Sequence, residues 1–245
     1  MSGMHFERMA RDYVRARPPY PPVVYETLRT AGVIGPGTRV LEIGAGAGLA
    51  TREVVRSGSE VVALEPGPEL AGILHQDVPG VSVVVGRLED ADLPENSFDS
   101  VIAATSMHWV DLSIGLPKIH TVLRPSGWLG VWRTVFGDDS VDTAFRRRVD
   151  EIVVRRTFRE TEPRSPERPS LEELSAGGWF APVRSERWRW SIELNTEQVR
   201  LLFRTFSDWT TAEAEEAARA AEELGGHVTE HYQSVLHLLR STPLP

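Results

Sequence analysis

The chain has 245 residues, no cysteine and a formal net charge of −8, which excludes disulfides and thiolate catalysis and argues against a partner read through its phosphates, so no nucleic acid is expected. Hydrophobic residues make up 41% and charged residues 25% of the chain, ordinary values for a globular protein. No apolar run approaches the ~18 residues of a spanning helix, and the polar stretch from Met1 to Arg11 has no signal-peptide core, so a cytoplasmic protein without a membrane partner is expected.

In chain order, Phe6, Met9, Ala10 and Tyr13 share one helical face. The prolines from Pro18 to Pro21 then stop that helix. A helix is predicted from Pro22 to Ala31, with Gly32 as its stop. Strand 1 is predicted over Arg39–Ile43, and helix A from about Leu49 to Ser57. Between them lies Glu42-Ile43-Gly44-Ala45-Gly46-Ala47-Gly48. Glycines at such a turn allow positive φ and let a ligand approach the backbone. Strand 2, Glu60–Leu64, ends at Glu65, 17 residues beyond Gly48 (65 − 48). An acid at the tip of the second strand can take both ribose hydroxyls in a nucleotide-binding α/β fold. These features predict a nucleoside cofactor.

Pro66-Gly67-Pro68 makes a turn, and a short helix follows from Glu69 to His75. Val81–Val85 is a continuous apolar run, as buried parallel strands are. Strand 4 is predicted to start at Ser97-Phe98-Asp99 and reach Ala104, followed by Thr105-Ser106-Met107-His108-Trp109. A helix from Asp111 to about His120 leads to the turn Leu123-Arg124-Pro125-Ser126-Gly127 and strand 5, Trp128–Trp132.

The run Glu42 to Gly48 resembles motif I of the class I S-adenosylmethionine-dependent methyltransferases. The dehydrogenase fingerprint places its third glycine one residue later. The N-terminal spacing Phe6-Ala10-Tyr13-Arg17-Pro18-Tyr20-Pro21 and the His108-Trp109 pair resemble the small-molecule type 11 and trans-aconitate methyltransferase branch. The resemblance covers residues 5–135. It implies a Rossmann-like α/β fold, with a seven-stranded, mostly parallel sheet, helices on both faces and a lid insertion after strand 5. It implies one domain over residues 1–245, with residues 1–32 covering the cofactor and 137–180 forming the lid.

It further implies S-adenosyl-L-methionine as cofactor, approached by Gly44, Ala45, Gly46 and Gly48, with Glu42 orienting the loop. Glu65 and Pro66 meet the ribose, Leu88 and Glu89 the adenine, and Tyr13, Arg17 and Thr105 complete the set. Arg87 stands where many relatives carry Asp. Ser106, His108 and Trp109 fall in the acceptor pocket, because open α/β sheets bind ligands beyond their carboxyl ends. His108 is the candidate general base. The reaction implied is methyl transfer to a nucleophile on a small molecule. Strand 4 lacks an Asn-Pro-Pro-Tyr type ending, which argues against DNA or glutamine as acceptor. Two other readings use the same fold: a cofactor-binding protein that transfers no methyl, and an NAD-dependent oxidoreductase.

Beyond residue 135 a charged segment from Asp138 to Glu173 predicts a helical insertion with a loop. Arg146, Arg147, Arg148, Arg155 and Arg156 there read as the wet face of an amphipathic helix, or as a clamp for an acceptor anion. A sixth strand is predicted at Val183–Ile192, and a seventh at Val228–Leu239, where a helix is the alternative. His227-Val228-Thr229-Glu230-His231 spells a zinc-protease pattern, but its strand-like setting lacks the required helix, so no metal site is expected.

Overall fold

The computed structural model describes residues 15–156, 167–206 and 208–243. Residues 1–14 of the N-terminal segment, Tyr13 among them, lie outside the described residues, as do residues 157–166 of the expected insertion. The elements are α1 (Pro22–Thr30), β1 (Arg39–Ile43), α2 (Thr51–Arg56), β2 (Glu60–Glu65), α3 (Pro68–Asp77), β3 (Ser82–Val85), β4 (Phe98–Ala104), α4 (Leu112–Val122), β5 (Leu123–Phe136), α5 (Ala144–Val154), α6 (Leu171–Ser175), β6 (Phe180–Asn195), α7 (Thr196–Arg204), α8 (Thr211–Glu223) and β7 (His227–Ser241). One mixed, seven-stranded sheet runs in the order β3-β2-β1-β4-β5-β7-β6, an α/β, Rossmann-like architecture.

The strands β3, β2, β1, β4 and β5 pair in parallel, and their register draws one line across the sheet. Val84, Leu64, Ile43, Ala103 and Val131 stand side by side along it. Gly44, Glu65 and Thr105 therefore emerge together just past this line. The strand order reverses at β1/β4, where doubly wound sheets open their ligand crevice.

By its internal contacts the chain divides into two compact units. One holds residues 19–134, 166–187 and 234–245. Its core packs Leu41, Ile43, Val101, Ala103, Leu129 and Val131 of the central strands against Leu116, Ile119 and Val122 of α4. The Leu123–Gly127 turn is folded into β5 as an irregularity. Phe98 pairs with Leu123 but Ser100 pairs with Trp128, so four residues loop out of the ladder. Ser126 there has φ 60°, the left-handed geometry a glycine would adopt more easily.

The second unit holds residues 1–18, 135–165 and 188–233, so it draws on far more chain than an insertion over 137–180. Strand 5 continues to Phe136 rather than stopping at Trp132, because Val135 and Phe136 are themselves buried. Phe136, Phe145, Val149, Leu202, Phe203 and Trp209 form its core. The helices carry matched caps: Asn195 with Gln198 for α7 and Thr210 with Glu213 for α8. Arg147, Arg148 and Arg155 pair with Asp142, Glu223 and Glu216 on a wet face answered by acids, whereas Arg156, 15% exposed at its side chain, pairs with Asp208 and Glu213 and lies over the Trp209 ring.

Arg146 differs from the adjacent Arg147 and Arg148. It is 14% exposed at its side chain, lies over the Phe136 ring at 5.0 Å, and stands 3.9 Å from the carboxylate of Glu230. Gly137, at φ 85°, leaves the space that Arg146 fills. Glu230 and Tyr232 both point inward from β7, two residues apart as strand alternation requires. Oε2 of Glu230 and the Tyr232 hydroxyl have no partner among the described residues. Burial pushes the Glu230 carboxyl up to about 7 against the pull of Arg146. The segment with the zinc-protease spelling is thus a strand, in which Glu230 is buried while His227 is exposed.

Candidate functional site

The glycine loop closes the end of β1. The N–H groups of Gly44 and Ala45 both donate to Leu64 O, at 2.7 and 3.2 Å, which folds the loop over the tip of β2. The three glycines serve different purposes. A Cβ on Gly44 would stand 2.5 Å from Cβ of Ser106, and one on Gly48 would stand 2.5 Å from Leu74 Cδ1, so protein packs both positions. Gly46, at φ 58°, would place its Cβ in open space. It is therefore the position where a ligand can reach the backbone.

Two acids frame that opening. Glu65 is 6% exposed and is held by two backbone donors, Gly46 N–H to Oε2 at 2.7 Å and Gly67 N–H to Oε1 at 2.8 Å. A carboxylate offers about four acceptor directions, so the two oxygens keep capacity for a pair of hydroxyls. Glu42 is 1% exposed, and its Oε2 has no partner among the described residues. Burial pushes its carboxyl up to about 8, and the charge of Glu65 adds to the rise. An acceptor left unpaired in the interior costs roughly 1–3 kcal/mol. A diol set against Glu65 and a cationic or donor-rich group set against Glu42 match the residues present, and both belong to a sulfonium nucleoside carrying an amino acid.

At the end of β4 the chain takes a strained step. Thr105 has φ 57°, an outlier for a β-branched residue. Its N–H donates to Trp132 O at 2.7 Å, and its hydroxyl accepts from Tyr20 at 3.1 Å and from the Thr134 N–H at 3.3 Å. Such strain persists where the surroundings fix it, commonly at ligand sites. Ser106 is buried and donates to Ile43 O at 2.5 Å, so its hydroxyl serves the loop rather than a pocket. A single 3₁₀ turn, Met107–Trp109, follows, anchored by the buried Met107. His108 is half-buried, packs on Trp109 at 4.7 Å between ring centres, and has no partner at Nδ1 among the described residues. Burial pushes its imidazole down to about 4, and the cations of Arg133 and Arg168 add to the fall. His108 is neutral at pH 7 and Trp109 is exposed.

The other expected residues are placed as follows. Ala45 is buried in the loop, and Pro66 is exposed directly after Glu65. Leu88 is buried in the core of the sheet unit. The Glu89 carboxylate accepts from Arg87 and from the Asp111 N–H, both at 3.0 Å, and its carbonyl accepts from Lys118 at 3.1 Å. That clasp holds the loop after β3 to the start of α4 and engages Oε1 of the Glu89 carboxylate. Arg17 belongs to the second unit, where it donates to Thr205 O at 3.4 Å and lies over the Phe206 ring. Two contributors were not expected. Tyr20 braces Thr105, and Arg133 sits one residue past Trp132, beside Thr105 in the sheet. The long, alternating run through Phe136 was the signal for Arg133, since it extends β5 past Trp132.

A methyltransferase domain family matches residues 41–131. An uncharacterised methyltransferase of Mycobacterium tuberculosis is 41% identical over 123 residues, covering 50% of this chain and 49% of the relative. The chain thus spans about half the length of that relative. An uncharacterised methyltransferase-like protein of Schizosaccharomyces pombe is 30% identical over 221 residues, covering 89% of this chain and 84% of the relative. Among solved structures, a protein assigned as a type II methyltransferase from Anaeromyxobacter dehalogenans superposes with a TM-score of 0.65 at 22% identity, over 93% of this chain and 99% of that one. By the extent of these matches, the chain belongs to the class I S-adenosylmethionine-dependent methyltransferases.

Proposed function

We propose that the protein transfers the methyl group of S-adenosylmethionine to a nucleophilic atom of a small-molecule acceptor, in the manner of the type 11 and trans-aconitate branch. The observation that carries this reading is the pair of acids at the loop: Glu65 fixed by Gly46 and Gly67, and Glu42 buried without a partner for Oε2. The cofactor supplies an activated sulfonium methyl, so the protein mainly positions reactants and excludes water. Glu65 binds the ribose, Glu42 faces the amino acid end, and the open side of Gly46 admits the backbone contact. The exposed Trp109 walls the acceptor, and His108, neutral and with a free lone pair, receives its proton or hydrogen bond. Leu88 and Glu89 hold the adenine. Residues 1–32 are assigned to cover the cofactor, and residues 137–180 to cap the acceptor. No helix among the described residues is long and apolar enough to cross a membrane, in keeping with a cytoplasmic site of action.

Calorimetric titration with S-adenosylhomocysteine tests the reading. Micromolar binding, weakened roughly tenfold or more in Glu65→Ala for the lost ribose hydrogen bonds, is the expected result. Folded protein that gives neither heat nor a thermal shift would sink it.

A further inference from the structure

Tyr20 stands between two proline pairs, Pro18-Pro19 and Pro21-Pro22, whose fixed φ leaves its backbone few other courses. Its half-buried ring packs edge-to-face on Trp132 at 5.7 Å between centres, and Tyr25 of α1 packs on the same indole at 6.3 Å. Its hydroxyl donates to the Ala104 carbonyl at 3.2 Å and to the Thr105 hydroxyl oxygen at 3.1 Å. Thr105 is the residue that leaves β4 at φ 57° without a glycine's freedom. On its other side the Thr134 N–H donates to the same oxygen, and the Thr134 hydroxyl is paired with the buried Ser234 at 2.7 Å. What this grip sets lies one residue on. Ser106 donates to the Ile43 carbonyl, and its Cβ fills the space beside Gly44. The turn that carries His108 and Trp109 follows at once. A Thr105 relaxed to the extended backbone that β-branched residues prefer would swing Ser106 off Ile43 and leave the glycine loop without its backing.

We propose that Tyr20 is a positioning residue of the methyl-transfer site: its hydroxyl holds Thr105 in the left-handed step that seats Ser106 against the glycine loop and sets the course of the Met107–Trp109 turn. This deepens the methyl-transfer reading above and rests on it. Tyr20 acts through Thr105 and Ser106 rather than on a reactant. Without the hydroxyl, the bent and relaxed forms of the β4 exit exchange, and only the bent form backs the loop. The apparent cofactor affinity then falls in proportion to the fraction of molecules that remain bent.

Calorimetric titration with S-adenosylhomocysteine reads that fraction. Tyr20→Phe keeps the ring on Trp132 and removes only the hydroxyl, and should weaken binding about fivefold or more, the scale of one lost hydrogen bond. Thr105→Gly supplies a residue that takes positive φ freely, so adding Tyr20→Phe to it should cost less than about twofold. Hydrogen exchange separates positioning from plain support of the fold. In Tyr20→Phe the amides from Thr105 to Val110 should exchange several-fold faster, while those of Arg39–Ile43 keep the wild-type rate. Unchanged affinity in Tyr20→Phe overturns the proposal, as does an equal loss in the Thr105→Gly background. Faster exchange spread over the whole chain, or a Tyr20→Phe chain that does not fold, makes the hydroxyl a support of the fold and overturns it too. Wild-type binding that survives Tyr20→Phe intact defeats the positioning role alone, whereas wild type that binds no S-adenosylhomocysteine defeats methyl transfer itself.

Discussion

The buried carboxyl of Glu42 makes cofactor binding a proton-releasing event. With its pKa pushed to about 8, the group is about nine-tenths protonated at pH 7. A positively charged ligand end set against it favours the carboxylate and returns it toward the ordinary range. Binding should then expel about 0.9 proton per site at pH 7, about 0.5 at pH 8 and about 0.1 at pH 9. Affinity should rise about fivefold from pH 7 to 8 and about tenfold from pH 7 to 9, because only the ionised fraction is ready to bind. Calorimetry with S-adenosylmethionine in phosphate and in Tris, whose protonation heats differ, reads the proton count as the slope of apparent enthalpy against buffer heat. Glu42→Gln should bind with no slope. A wild-type slope near zero at pH 7, or the same slope in Glu42→Gln, would refute the reasoning.

Gly46→Ala meets no side chain but holds φ 58°, so it should cost only about 1–2 kcal/mol of stability by chemical denaturation while weakening S-adenosylhomocysteine at least tenfold by calorimetry. Gly48→Ala presses on Leu74 and Val78, and should lose about 2–4 kcal/mol, from overpacking added to backbone strain. For Glu230, a carboxyl raised to about 7 gives stability that is fully present below its unfolded pKa and lost as pH rises through 7. Denaturant unfolding between pH 4.5 and 8 should therefore fall on the order of 3 kcal/mol further in wild type than in Glu230→Gln.

Most of the sheet was legible because parallel, buried strands are written as short apolar runs between turn residues. Arg39–Ile43 was read to the residue, and Glu65 was placed from its distance to the glycines. Side-chain commitments were not legible. Nothing local says that Ser106 fills the space beside Gly44, or that Glu89 is tied to Asp111 across 22 residues. Gly44, Gly46 and Gly48 look alike in sequence, yet neighbours distant in the chain decide which one faces open space. The second unit was harder still. Its core joins residues 136, 145, 203 and 232, and the five arginines between Arg146 and Arg156 read as one stripe until Gly137 and Glu230 set Arg146 apart.

Lys118, whose amine donates to the Glu89 carbonyl, is the chain's single lysine. An amine-reactive reagent therefore has one side chain to find, and that side chain holds down the loop after β3. Acylation at this position, told apart from the terminal amine by peptide mapping, becomes a clock for how often the clasp lets go. Cofactor that steadies the loop would slow the clock, and a ligand that leaves it alone would not, so a natural scarcity of lysine gives this protein a reporter that needs no engineering.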